Sequence, residues 1–112
     1  MPPERYEIYF ADLNPTVGGE ISKTRPVVIV SQNDMNRYLD TVVICPLTSR
    51  LHPQWRSRIQ IVCAGKDAEI AVDQIRTISK GRLRNKIDVL LFNYIGQMFF
   101  NGSTSRLANN IS

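Results

Sequence analysis

A single histidine, two cysteines and a small set of arginines, hydroxyls and carboxylates are what this chain offers to catalysis. His52 lies between Leu51 and Pro53 and reads as a solvent-exposed loop residue. No His, Cys or carboxylate group repeats at ligand spacing, so neither a metal site nor another cofactor is expected. One histidine also excludes a two-histidine acid–base pair within one subunit. No segment carries the nucleophile elbow of a Ser/His/Asp triad. Gly18-Gly19 is not followed by the Lys-Ser/Thr of a phosphate-cradling loop. Cys45 and Cys63 sit in apolar runs and read as small buried hydrophobes rather than a disulfide.

What remains is a polar set at predicted strand ends: Glu20, Lys23, Arg25, Thr48, Ser49, Asp73, Gln74 and Arg76. Arg25 immediately precedes an apolar run and Thr48 ends another, so both sit where rigid sheet meets loop, a good place to hold a reactive group. Taken singly, each has an ordinary reading. Arg25 can be a surface arginine, Thr48 a turn former, and Asp73 the partner of a nearby arginine.

The elements that must position this set follow from apolar periodicity. Tyr6 to Leu13 reads as a strand with Tyr6, Ile8 and Phe10 on one face. Asn14-Pro15-Thr16-Val17-Gly18-Gly19 is a shaped loop. Pro26 to Val30 is continuously apolar and reads as a strand buried on both faces. Ser31-Gln32-Asn33-Asp34 fits a capping box opening a helix whose apolar face is Met35, Tyr38 and Leu39. Thr41 to Thr48 is a strand interrupted by Pro46, which predicts an edge or a bulge. Arg58 to Cys63 alternates and reads as half buried. In Ile70 to Ile78 the apolar phase slips, predicting a β-bulge near Asp73 or Gln74. Phe92, Ile95, Met98 and Phe99 mark a helix ending at Asn101-Gly102, with residues 103–112 as a flexible tail. Short strands with few helices predict a small, strongly curved barrel.

With 112 residues, 43% hydrophobic and 21% charged, the chain reads as one ordinary globular domain spanning residues 1–112. Its core is small, so a partner subunit would help stability. The net charge of +4 favours an anionic partner. Arg76, Lys80, Arg82, Arg84 and Lys86 follow one another with no acidic residue between, and Arg50, Arg56 and Arg58 form a second basic stretch. Most of these are expected to be solvated surface, and two or three facing a groove would suffice for binding. The N-terminal Met1-Pro2-Pro3-Glu4-Arg5 lacks a signal peptide's apolar stretch, and no apolar run approaches the ~20 residues that cross a bilayer. A cytoplasmic protein without membrane contact is the expectation.

Three blocks of the chain resemble the MazF/PemK toxin family. They are Asp12 to Glu20 leading into Lys23-Thr24-Arg25-Pro26-Val27-Val28-Ile29-Val30-Ser31; Pro46-Leu47-Thr48-Ser49; and Asp73-Gln74-Ile75-Arg76-Thr77-Ile78 followed by Lys80, Arg82 and Leu83. Their order and separations agree as well, so the likeness covers roughly residues 5 to 100. The resemblance implies a mainly β fold with short helices, the SH3-like small β-barrel of the MazF/CcdB/Kid toxins, usually a homodimer. It implies a sequence-specific endoribonuclease that cuts single-stranded RNA and is neutralised by a cognate antitoxin. The catalytic arginine and threonine it implies are Arg25 and Thr48. Asp73 matches a position assigned as general base in some members, and Glu20 matches a glutamate implicated in others. Two departures count against one family scheme: Ala71 stands where some relatives carry an arginine, and Gly19 where some carry a histidine. Leu91 and Phe92 stand where a serine often caps the last helix, which implies altered packing or dimerisation there.

The chemistry suits those assignments. Metal-free cleavage by the 2′-hydroxyl needs a proton acceptor, a proton donor and stabilisation of charge on phosphate. The arginine fork binds two phosphate oxygens, but arginine is a poor base because its guanidinium keeps its proton. Thr48 can donate to phosphate or orient the 2′-hydroxyl. Lys23, Ser49, Gln74 and Arg76 are candidate RNA contacts, and Trp55, in the polar segment Gln54-Trp55-Arg56, is the favoured stacking platform. The competing reading is a non-catalytic toxin on the same barrel that binds a protein such as a topoisomerase. A general RNA-binding barrel is weaker, since it leaves the paired T-R-P and P-L-T-S segments unexplained.

Overall fold

The computed structural model describes the backbone of residues 1–100 and the side chains of residues 1–97. The strands are β1 (Glu7–Asp12), β2 (Thr24–Ile29), β3 (Thr41–Thr48), β4 (Arg58–Cys63), β5 (Lys66–Ala71), β6 (Arg76–Ser79) and β7 (Leu83–Val89). Helix α1 (Asn33–Tyr38) follows β2, and α2 (Phe92–Phe100) follows β7. The strands form one seven-stranded antiparallel sheet in the order β4-β5-β3-β2-β1-β7, with β6 also paired to β3.

β2 and β3 are apolar on both faces because the curved sheet covers both. Val28 and Val30 pack with Val43, Cys45 and Leu47 into one cluster, completed by Ile59, Ile61 and Ile70. The alternate residues Val27, Ile29, Val42 and Ile44 pack with Ala11, Leu13 and Ile78 into a second. The buried run expected over Pro26 to Val30 is present from Val27 onward, each residue at most 1% exposed. β4 also alternates as expected, with Ile59, Ile61 and Cys63 inward.

Several local expectations change. β1 begins at Glu7, since Tyr6 is left-handed (φ 73°) and lies outside it. Register shifts against β7 then change the phase, so Ile8 and Ala11 are buried while Phe10 is 36% exposed. β3 is a central strand, not an edge. Its first half pairs with β6 and its last two residues with β5, while β2 runs along its other side. The predicted bulge is larger than one residue: a 3₁₀ turn, Val72–Gln74, separates β5 from β6 along one edge of β3. It falls opposite Cys45 and Pro46, where a residue without an N–H cannot complete the ladder. β7, with exposed Arg84, Asn85 and Lys86, gives no apolar alternation and was not anticipated. The β4–β5 turn places Ala64 and Gly65 at φ 49° and 80°, the geometry of a tight two-residue hairpin.

Helix α1 differs most. Its N-cap is Gln32 without a side-chain cap, and Tyr38 and Leu39 are 76% and 50% exposed. The helix instead buries Asn36. The Ser31 hydroxyl donates to the Asn36 carbonyl oxygen, the Asn36 amide donates to the Ser31 carbonyl at 2.9 Å, and Val43 N–H donates to the Ser31 hydroxyl at 3.0 Å. This fully buried polar node ties β2, α1 and β3 together. Tyr94 and Ile95 of α2 pack against the first core cluster, whereas Phe92 is 89% exposed. The expected contributions of Met98 and Phe99, the helix end at Asn101-Gly102 and the 103–112 tail lie outside the described side chains and residues.

Glu69 is the one charged residue buried among those described. Its carboxylate accepts from His52 N–H at 2.6 Å, Arg58 Nη1 at 2.7 Å and Gln60 Nε2 at 2.8 Å, joining β5 to β4 and to the β3–β4 loop. Arg58 is bridged onward from Nε to Asp73 at 2.9 Å. Burial pushes the Glu69 carboxyl up, but these donors and the Arg58 charge outweigh it and hold the group below its ordinary 4.5. A carboxyl depressed in the folded state adds stability above its unfolded value, and that contribution fades as pH falls from there through the folded value.

Two stability measurements check this account. Asn36→Ala strands the Ser31 groups and should cost about 1–3 kcal/mol in urea unfolding, while Tyr38→Ala should stay within about 0.5 kcal/mol. Glu69→Gln should cost about 2–3 kcal/mol at pH 7. It should also flatten the loss of stability that the native protein shows as pH drops below 4.5.

Candidate active site

The β2–β3 ladder sets the site. Its register pairs Val27 with Pro46 and Val28 with Cys45, and continuing it by two residues brings Arg25 level with Thr48. Arg25 is half buried, and its Nε donates to the Ser22 carbonyl at 3.1 Å. That bond orients the guanidinium while its two terminal nitrogens make no hydrogen bond among the described residues. Thr48 Oγ accepts from Arg50 N–H at 3.1 Å, which leaves the hydroxyl proton available to donate.

These two side chains open into a cleft of about 550 Å³ that Glu20, Ser49, Gln74 and Trp55 also line. The β1–β2 loop forms one wall and is held from below. Arg76 donates to the Leu13 carbonyl at 3.2 Å, and Arg82 donates to the carbonyls of Asp12 and Asn14. Gln74 Oε1 accepts from Ile21 N–H at 2.6 Å, fastening the same loop to the 3₁₀ turn. Arg76 and Arg82 of the Arg76–Lys86 basic run therefore serve as scaffolding, while Arg84 and Lys86 stay exposed as expected, Lys86 paired to Glu7 at 2.6 Å.

Of the sequence-predicted residues, Arg25, Thr48, Glu20, Ser49, Gln74 and Trp55 converge on the cleft. Lys23, Asp73 and Arg76 are not among its lining residues. Lys23 takes a left-handed turn conformation (φ 69°) at the base of the loop, Asp73 holds Arg58, and Arg76 anchors Leu13. Glu20, though in the cleft, folds its carboxylate back to accept from Val17 N–H.

The opposite wall is the β3–β4 loop, and here the sequence reading of His52 is corrected. His52 is only partly exposed, lines the cleft, and stacks on Trp55 with ring centroids 3.8 Å apart and planes 19° from parallel. Two consecutive turns build this arrangement. Trp55 N–H donates to the His52 carbonyl at 3.0 Å and Arg58 N–H to the Trp55 carbonyl at 3.2 Å. Pro53 sits at the second position of the first turn, which its fixed φ favours. The Arg58 guanidinium lies 4.8 Å from the Trp55 ring centroid, within cation–π range. The His-Pro-x-Trp spacing was the signal available in the sequence for this pairing. Arg50 and Arg58 also line the cleft, so part of the second basic stretch faces it.

Among the described residues no group of three His, Cys, Asp or Glu side chains converges to hold a metal ion. Both cysteines are buried and free, and burial, with Asp73 adding to it, pushes the Cys45 thiol up to about 12. No helix among the described residues is long and apolar enough to cross a membrane.

Comparison with known proteins places the chain in a family. Residues 4–93 match the model of the PemK-like, MazF-like toxins of type II toxin–antitoxin systems. An endoribonuclease MazF from Staphylococcus saprophyticus is 35% identical over 91 residues, covering 77% of this chain and 76% of that protein. Among solved structures, a MazF from Deinococcus radiodurans superposes with a TM-score of 0.81 at 16% identity, over 97% of this chain and 98% of that one. A mycobacterial endoribonuclease in complex with its cognate antitoxin gives 0.73 at 20% identity, over 98% and 97% of the two chains. The curved antiparallel sheet is thus the MazF fold, and with the family match spanning most of its length, the chain belongs to the PemK-like, MazF-like toxins of type II toxin–antitoxin systems.

Proposed function

We propose that this member of an endoribonuclease toxin family cuts single-stranded RNA at short sequences, without a metal ion, through attack of a ribose 2′-hydroxyl on the adjacent phosphate. The observation that carries the proposal is the meeting of Arg25, with its terminal nitrogens free, and Thr48, with its proton free, in one cleft. Arg25 clamps two phosphate oxygens and stabilises the charge that builds as the 2′-oxygen bonds to phosphorus. Thr48 donates to phosphate or orients the attacking hydroxyl. The bond to the 5′-oxygen breaks, leaving a 2′,3′-cyclic phosphate on one product and a 5′-hydroxyl on the other.

Trp55 is 44% exposed on the cleft wall, and a base stacks on it by displacing Arg58 from its ring face. Ser49 and Gln74 line the cleft with Arg25 and Arg50, which supports a reading in which the first two contact base edges and the arginines phosphate. Lys23, Arg76 and Asp73 act at most from outside the cleft. The protein works as a homodimer, and a cognate antitoxin restrains it through an acidic segment laid into the basic cleft. The mycobacterial neighbour solved with its cognate antitoxin supports that partner.

Arg25→Ala should slow cleavage of a labelled, mixed-sequence single-stranded RNA by at least about 10²-fold, with an unchanged unfolding midpoint. Wild-type cleavage should persist in excess chelator, and a DNA strand of the same sequence should remain intact. Cleavage by Arg25→Ala at the native rate, or a loss in chelator that Mg²⁺ restores, would overturn the mechanism.

A further inference from the structure

We propose that His52 is the proton acceptor for the 2′-hydroxyl in this cleft and that the buried Glu69 positions it, an inference that rests on the ribonuclease reading above. Four observations converge on the pair. His52 lines the same cleft as Arg25 and Thr48. Its Nδ1 is buried with no hydrogen-bond partner among the described residues, 3.6 Å from Glu69 Oε2. The same carboxylate accepts the His52 backbone N–H at 2.6 Å, so main chain and ring are referred to one fixed group. Trp55 fixes the ring plane by stacking at 3.8 Å.

A carboxylate facing Nδ1 selects the tautomer that carries its proton there, which leaves Nε2 as the acceptor. The 3.6 Å separation is longer than a hydrogen bond, and catalytic hydrogen bonds of this kind commonly tighten when substrate binds. The other carboxylates are less available: Glu20 is bonded to its own loop, and Asp73 is held by Arg58 outside the cleft lining. Glu69 itself is sealed in the core and cannot meet RNA, so its role runs through the imidazole.

In the step, Nε2 takes the 2′-hydroxyl proton as the 2′-oxygen bonds to phosphorus and the 5′-oxygen leaves. The 5′-oxygen takes a proton from water, and the imidazolium returns its proton to solvent, so protons balance over the turnover. Glu69 from β5 faces the imidazole at 3.6 Å, and the charged groups that share its cleft are Arg58 from β4, itself paired with Asp73, Arg50 from the adjoining loop, Arg25 from β2 and Glu20 from the β1–β2 loop.

The test is the pH dependence of single-turnover cleavage of a mixed-sequence single-stranded RNA by wild type, His52→Ala, His52→Gln and Glu69→Gln. Binding of a 2′-O-methyl RNA of the same sequences, which cannot be cut, is measured alongside, below each variant's unfolding midpoint. Wild type should show rate rising with pH through one inflection to a plateau, as proton removal by a single base requires. Both His52 variants should be slower by about 10²–10⁴-fold and lack that inflection, with binding within about threefold of wild type and partial rescue of His52→Ala by added imidazole. Glu69→Gln should move the inflection, which a purely structural carboxylate would not do. Cleavage by either His52 variant within threefold of wild type, or a slow variant that keeps the native inflection, would overturn the His52 assignment while leaving the Arg25 result standing. An inactive wild type would overturn both.

Discussion

β2 and β3 leave the core at the same level, and the site depends on that. Val27 to Val30 and Val42 to Leu47 are sealed on both faces of the sheet, and each strand turns polar where it emerges, at Arg25 and at Thr48. Sliding either strand inward by two residues would carry a guanidinium or a hydroxyl into the core, and sliding it outward would expose valines or leucine. Burying an unpaired charge costs several kcal/mol, and each fully buried aliphatic side chain contributes about 1.5–3 kcal/mol. The boundary between apolar and polar sequence therefore locks the register, and the register makes neighbours of two residues 23 positions apart in the chain.

The walls of the cleft are assembled differently, by polar groups satisfied at long range. Arg76, Arg82 and Gln74 hold the β1–β2 loop by its backbone, and Glu69 holds the β3–β4 loop through His52 and Arg58. A buried carboxylate is unfavourable alone, and here three donors and a guanidinium offset its desolvation. The result is a two-walled cleft into which Arg25 and Thr48 present free donors, with the loops on either side held by their backbones. Preorganised donors of this kind act most strongly on charge that develops only in the transition state.

Much of this was legible in the sequence, for physical reasons that differ by residue. Pro26 to Val30 and the alternation of Arg58 to Cys63 reported burial directly. The apolar phase slip located the break between β5 and β6, though its size depended on Pro46 in a strand distant in sequence. The Arg25 and Thr48 blocks were found by resemblance, since spacing alone left each with an ordinary reading. The purpose of Ser31 was misread, because a serine before a helix looks like a cap and its actual partner, Asn36, reads as a solvated helix residue. β7 was missed because an exposed strand carries no apolar period. His52 was set aside because its contacts are with Glu69, seventeen residues on, and with Trp55 across a turn. Long-range pairing of single polar residues leaves no periodic trace.

The most direct measurement of the central claim is the chemistry of the cut ends. RNA cleaved by the native protein in the presence of chelator should carry 2′,3′-cyclic phosphate and 5′-hydroxyl termini, the signature of attack by the RNA's own 2′-oxygen. Fragments ending in 3′-hydroxyl and 5′-phosphate would mean that water attacks from outside, and would contradict the Arg25–Thr48 mechanism.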